Sequence, residues 1–321
     1  MKSPGTPSDN QDGSRRLLWI LCGTVAGTLA VFFFCVPKFS VRNVNPTLPW
    51  LFETWNKENQ YYEHGWIVLA VMAWFIYKAW KPLRQEPVKG SLHGLWWIGL
   101  GLFLWVGGFR AIQARAAVLS LPCLILGSVH HVRGWKSARH LMFPLSLVAF
   151  MVPVPGLEQA TNSLAIFATQ MAHKVGQLIG IDTIQSGTQL IAPPGQDWGS
   201  WKINDGCSGL RSLVALMLIS YVYGMVVHRK WWERIVVFAA AIPIAIVANG
   251  FRIASILVVA QLSHTFAAAT WHDYSGFFSF GAALALLLLL SFIMRSGVKA
   301  LKPKVKVTRV GNAETSQASA L

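Results

Sequence analysis

The chain has 321 residues, of which 54% are hydrophobic and only 13% charged, with 15 tryptophans. Too little polar surface remains to clothe a soluble domain, so the composition points to an all-α polytopic membrane protein. The net charge of +15 does not point to nucleic acid, because the basic residues sit in short segments between apolar runs, as orientation signals do. Four cysteines without regular spacing make neither a disulfide framework nor a zinc site, and no cofactor is expected.

Residues 1–16 read as a polar N-terminal tail. The run Leu17 to Val36 is too long, and lacks the small-residue cleavage motif, for a removable signal peptide. From there to residue 297 long apolar runs give about eight transmembrane helices, at 17–37, 64–80, 93–109, 115–130, 140–154, 207–227, 234–260 and 276–295. Segment 158–180 breaks the pattern: Glu158, Gln159, Asn162, Gln170, His173, Lys174 and Gln177 alternate with apolar residues, which predicts an amphipathic interfacial helix. It follows Pro153-Val154-Pro155-Gly156, a strong helix breaker. In the polar stretch 181–206, Thr183 to Ile191 and Trp198 to Ile203 have the composition of a short β-hairpin. Residues 298–321 are basic, then small and polar, and are expected to be disordered.

Lysine and arginine orient these spans. With the N-terminus cytoplasmic, nineteen fall on the inner side and seven on the outer side; Arg211 and Arg252 lie within spans and complete the 28. The positive-inside rule then puts both termini in the cytoplasm. This topology brings three reactive residue types to one depth near the outer surface: Cys207 at the start of one span, Arg252 in the outer half of another, and His272 just before the last.

Of the four cysteines, Cys22, Cys35 and Cys123 lie in apolar runs, whereas Cys207 stands in Asn204-Asp205-Gly206-Cys207-Ser208-Gly209-Leu210-Arg211. A thiol at a helix start, with N–H donors nearby and Arg211 four residues on, has the surroundings that lower a thiol pKa. The plainer reading is a small residue at a helix start. Arg252, in Ala248-Asn249-Gly250-Phe251-Arg252-Ile253, interrupts an apolar span, where an unpaired arginine costs several kcal/mol. Asn249 shares its helical face. A permanently charged guanidinium suits an oxyanion or a carboxylate; the alternative is a side chain snorkelling to the headgroups. His272, in Trp271-His272-Asp273-Tyr274-Ser275-Gly276, is suited to proton transfer. Alone it reads as an interfacial residue sooner than as a catalyst, with His264 a rival on the same loop. Asp273 is adjacent in sequence, a poor position from which to face the imidazole, so no triad is assigned. His130 and His131 fall at a cytoplasmic boundary and their spacing suggests no metal site.

Taken in order, Cys207-Ser208-Gly209-Leu210-Arg211, Asn249-Gly250-Phe251-Arg252 and His272-Asp273-Tyr274-Ser275-Gly276 resemble the exosortase and archaeosortase family of membrane-embedded cysteine transpeptidases. Phe143-Pro144 and Pro153-Val154-Pro155 resemble that family's proline-marked span. The likeness covers roughly residues 90 to 295, and histidine in the third position is similar to the bacterial branch. The resemblance implies a protein of the bacterial inner membrane with its site on the periplasmic side. Its partners would be membrane-anchored proteins ending in a Pro-Glu-Pro motif, an apolar helix and a basic cluster, and the acceptor a polysaccharide or lipid-linked group. It further implies Cys207 as nucleophile, Arg252 as transition-state stabiliser and His272 as acid–base, with Ser208, Gly209, Arg211, Asn249 and Asp273 in support. Two readings of other classes stand beside it: an anion transporter lined by Arg211 and Arg252, and a non-catalytic component of polysaccharide export machinery.

Overall fold

The structure, a computed structural model, describes residues 23, 26–35, 46–56, 62–153, 157–195, 200–202, 209–263 and 267–300. In chain order the helices are α1 (26–34), α2 (Thr47–Asn56), α3 (Gly65–Gln85), α4 (Gly94–Arg110), α5 (Ala114–Arg133), α6 (Trp135–Ser146), α7 (Leu157–Leu178), α8 (Leu210–Val227), α9 (Trp231–Leu262) and α10 (His272–Ala300). A 3-10 turn, Leu147–Phe150, extends α6, and a π-helical turn, Ala267–Trp271, leads into α10. Three short strands lie between α7 and α8.

Among the described residues five helices are long and apolar enough to cross a membrane: α3, α5, α8, α9 and His272–Arg295 of α10. Helices dominate because a backbone in hydrocarbon must satisfy every N–H and C=O internally. The expected span 93–109 is α4, whose 17 residues make about 25 Å of helix, just short of the ~30 Å hydrocarbon core. The expected span 140–154 is offset: α6 begins at Trp135 and ends at Ser146, and the chain tightens into the 3-10 turn before Pro153. The run 17–37 is described only in part, and the tail 301–321 lies outside the described residues.

Glycine sets the closest helix pair. Gly94, Gly101 and Gly108, seven residues apart, face His131, Leu124 and Ala117 of the antiparallel α5, and a Cβ on any of them would sit 2.4–2.9 Å from its neighbour. Such spacing lets two backbones approach where apolar burial alone gives no driving force, because lipid is as apolar as leucine. Aromatic and aliphatic residues close the next layer, where Trp55, Val68, Val118, Leu147 and Met151 pack together. Trp55 Nε1–H donates to the Met151 carbonyl at 3.0 Å, which ties α2 to the end of the 3-10 turn.

The last three long helices form an antiparallel set. Gly209, just before α8, lies against Asn249 of α9, and at the opposite end Gly224 lies beside Arg234. Leu216 of α8, Val237, Ala241 and Ala245 of α9, and Ala283 and Leu287 of α10 fill the space between them. At 32 residues α9 is about 48 Å long, well beyond the hydrocarbon thickness. Both neighbours begin at the level of its residues 249–252, so its final turns rise past them. Those turns are covered by α7, which runs parallel to α9 rather than across the bundle. Met171 meets Gly250 and Gly176 meets Leu257. Ala165, Ala168, Ala172, Leu190, Ile253, Ala254 and Leu257 make a small core of their own there. The strands β1 (Ile184–Ser186), β2 (Gln189–Ile191) and β3 (Ser200–Lys202) form an antiparallel sheet in that order. Ile184 pairs with Ile191 and Leu190 with Trp201, the first turn passing through Gly187 at φ 59°. Among the described side chains of the sheet, Leu190 is buried in this core.

Candidate active site

Cys207, Ser208 and His264 lie outside the described residues, as do Asn204 to Gly206. The site is therefore built from what flanks them. The first helical residue of α8 is Leu210, three later than the sequence pattern suggests, and the residue before it, Gly209, adopts φ 80°, ψ 2°. A side chain is strained in that left-handed conformation. A Cβ at Gly209 would also stand 2.6 Å from Cγ of Asn249. Two independent constraints thus require glycine here, and the second fixes Asn249, buried at 5% exposure, against the entry to α8. Leu164 and Ala168 of α7, Gly209 and Leu213 of α8, and Ala245, Ile246 and Asn249 of α9 line a small, partly open cleft. Among the described residues its walls are apolar apart from the Asn249 amide and the Gly209 backbone.

One helical turn beyond Asn249, the Arg252 side chain is half-buried and directed at the start of α10. Its Nε–H donates to Ser275 Oγ at 3.2 Å and its Nη2–H to the His272 carbonyl at 3.3 Å. Gly276 lies beside the guanidinium, where even a Cβ would make only an ordinary 3.6 Å contact with its carbon. The arginine that interrupts the α9 pattern is therefore satisfied at the bundle end where α8 and α10 begin. A cation at that depth avoids most of the penalty it would meet in mid-bilayer.

His272 is the first residue of α10, immediately after the π-helical turn. Such turns disturb the hydrogen-bond ladder and recur at functional sites. Its side chain is 39% exposed, and Nδ1 lies 3.2 Å from Oδ1 of Asp273, itself 76% exposed. The neighbour in sequence does reach the imidazole, contrary to the geometry expected of adjacent residues, because at a helix start both side chains project from the same open end. In water this pair contributes little energy, but it does favour one ring orientation.

The structure brings Gly209, Asn249, Arg252 and His272 to one end of the bundle. Arg211 goes elsewhere. Sitting in the first turn of α8, it points to Glu63, with Nη2 to Oε1 at 3.7 Å. Glu63 precedes α3, where His64 Nε2 lies 3.0 Å from the Phe150 carbonyl, so the pair links the α8 start to the α2–α3 region. The pattern of apolar runs gave no reason to select Glu63, Ser255 or Ser275. Ser255 carries a faint signal, being three residues beyond Arg252 on the same helical face. Of the cysteines among the described residues, Cys123 is half-buried in α5 and Cys35, just after α1, is exposed.

Fold and site together define a multi-pass helical membrane protein with a polar cluster held at one end of its helices. The transmembrane exosortase pattern matches residues 55–289, which includes every element of that cluster. The chain belongs to the transmembrane exosortase family. No curated protein and no solved structure matches it.

Proposed function

We propose that the protein is a membrane-embedded cysteine transpeptidase that cleaves the C-terminal sorting segment of membrane-anchored secreted proteins and transfers them to a surface-associated acceptor. The observation that supports this most is the meeting of Arg252 and His272: the guanidinium donates to the backbone of the residue whose imidazole is the acid–base. Gly209, two residues from Cys207 along the chain, adjoins Asn249 one turn from Arg252. Two residues of chain reach about 7 Å at most, so a nucleophile at Cys207 is compatible with a site at this end of the bundle.

In this reading the sulfur of Cys207 gives its proton to the His272 imidazole and attacks the scissile carbonyl carbon. The carbonyl π pair moves onto oxygen, where Arg252 stabilises the charge. As the tetrahedral intermediate collapses, the C–N bond breaks and the imidazolium returns the proton to the leaving amine. A thioester remains on Cys207. An acceptor nucleophile, or water, gives a proton to His272, attacks the thioester and regenerates the thiol. A substrate held by its own apolar helix would present its scissile bond at the bundle end where α8 and α10 begin. The positive-inside count assigns that end to the outer face, in a cytoplasmic membrane with both termini inside.

The deciding experiment reconstitutes the protein in nanodiscs with a reporter ending in a Pro-Glu-Pro motif, an apolar helix and an arginine cluster. Processing by the native chain, and its loss in Cys207→Ala with protein level unchanged, is the expected result. Continued processing by Cys207→Ala overturns the reading, and a thioester trapped on Cys207 separates it from a transporter or an assembly partner.

A further inference from the structure

Ser255 and Ser275 are related in a way that neither helix requires. Ser255 O–H donates to the Arg252 carbonyl at 2.7 Å and accepts from Trp271 Nε1–H at 3.1 Å. Ser275 O–H donates to the His272 carbonyl at 3.1 Å and accepts from Arg252 Nε–H at 3.2 Å. Each hydroxyl has one proton, gives it back along its own helix, and uses an oxygen lone pair to hold a group from the other segment. Arg252 Nη2–H closes the circuit on the same His272 carbonyl. Arg252 is therefore gripped twice: its backbone through Ser255 to Trp271, and its side chain directly to Ser275 and His272. Ser275 is 2% exposed, so water does not compete for that contact.

We propose that Ser255 and Ser275 are positioning residues, a two-serine latch that fixes the plane of the Arg252 guanidinium relative to the α10 start carrying His272. The inference rests on the roles proposed above for Arg252 and His272. The π-helical turn before His272 has an irregular ladder, so α10 needs an anchor from outside its own helix at this point. The latch provides one on each side of His272, at Trp271 and at Ser275. A back-bonded serine in a helix is by itself ordinary. What sets these two apart is that each also receives an N–H across the α9–α10 junction, one from the arginine itself.

A hydrogen bond to a charged group contributes about 1.5–3 kcal/mol. Ser275→Ala is accordingly expected to lower the melting temperature by a few degrees and, because the guanidinium plane is no longer held, to lower kcat on the nanodisc reporter by roughly 10- to 100-fold, with KM within about two-fold. Ser275→Thr, which keeps the hydroxyl, is expected to restore most of that loss, and Ser255→Ala to cost less because it acts through Trp271. A second readout does not depend on turnover. In 15N-arginine-labelled protein, the Arg252 Nε–H resonance, assigned by its disappearance in Arg252→Lys, should exchange slowly with solvent. It should shift and exchange faster in Ser275→Ala. If the native chain fails to process the reporter, the transpeptidase reading fails and the resonance alone decides the latch. An Arg252 Nε–H unchanged in Ser275→Ala overturns the latch, as does a loss of activity that Ser275→Thr leaves unrepaired or that falls entirely on KM.

Discussion

The two ends of the α8–α9–α10 set each carry a histidine, an acid and a serine, and they do opposite things with them. At one end, His228 follows α8 with its side chain fully buried. Nδ1 lies 3.1 Å from Glu233 Oε2, and Nε2 lies 2.7 Å from Ser291 Oγ of α10. On paper this serine, histidine and carboxylate outdo the other end as a catalytic triad. Yet both ring nitrogens are engaged, Ser291 is 0% exposed, and the Tyr223 hydroxyl lies 3.5 Å from its oxygen. Arg234 Nε–H donates to the His228 carbonyl and Lys230 Nζ stands 3.8 Å from Glu233. Every polar group has a protein partner, which is how a polar cluster survives among apolar helices. At the other end, His272 is partly open, Asp273 is mostly open, Ser275 is buried, and a half-buried fixed cation, Arg252, joins the set. The comparison teaches that a list of residue types does not make a site. Among the described residues the two ends differ in exposure: the His228 side chain is 0% exposed and that of His272 39%.

The largest effect should come from the open end. Arg252→Lys keeps the charge but replaces a planar fork with a point donor, and cannot hold Ser275 and the His272 carbonyl together. Loss of one transition-state donor costs about 10²- to 10³-fold in kcat, roughly 2.7–4 kcal/mol. Steady-state kinetics on the nanodisc reporter, with protein amount normalised by blot, measure it; activity within a few-fold of native would remove the arginine from the mechanism.

The closed end should answer in stability instead. His228→Ala removes the hydrogen-bond partner of Glu233 Oε2 and of Ser291 Oγ at a buried site, a change worth about 1–3 kcal/mol for each group left unsatisfied. A clear drop in the detergent melting temperature is expected, with the kcat of the surviving folded fraction near native. If kcat falls while the melting temperature holds, the two ends are coupled and the contrast drawn above is wrong.

Much of this contrast was legible beforehand, and the remainder shows where a sequence stops informing. Arg252 stood out because a guanidinium in an apolar span is expensive, and the helix that carries it is where the pattern placed it. Asn249 followed from helical spacing alone. Gly209 was legible as a supporting residue of the Cys207 segment; its left-handed φ and its contact with Asn249 are tertiary facts. Glu63 was invisible, because its partner Arg211 lies about 150 residues away and no periodicity joins them. His228 was hidden for the opposite reason. It falls in a short basic loop that reads as an orientation signal, although its side chain turns inward to α10. The α4 boundaries were met within a residue, whereas those of α6 and the start of α8 were displaced because apolar runs fix where a segment is buried, not where its helix begins.

Gly209→Ala probes the seam of the open end with a smaller expected effect on the fold. The left-handed conformation costs a non-glycine residue about 1–2 kcal/mol, and the new Cβ would press on Asn249 at 2.6 Å unless α8 and α9 part. Loss of activity should exceed what a modest fall in melting temperature explains, because the strain is released beside Arg252 rather than along the bundle. Gly224→Ala, near the closed end of the same two helices, is the matched control: its Cβ would meet Arg234 at an ordinary 3.6 Å. Equal behaviour of the two variants would erase the distinction between the ends.

The smallest change tests the bridge to the rest of the fold. Arg211 and Glu63 are 3.7 Å apart, with side chains 51% and 59% exposed. An exposed pair of that geometry contributes about 0–1 kcal/mol and is screened by salt. Glu63→Gln should therefore leave the melting temperature within a degree or two and reduce kcat less than any variant above, the difference vanishing at high ionic strength. An effect that persists in high salt would mean that Glu63 contributes more than its charge. It would move the boundary of the open end outward to include α3, and Arg211 would then have to be read as part of the site rather than as its tether.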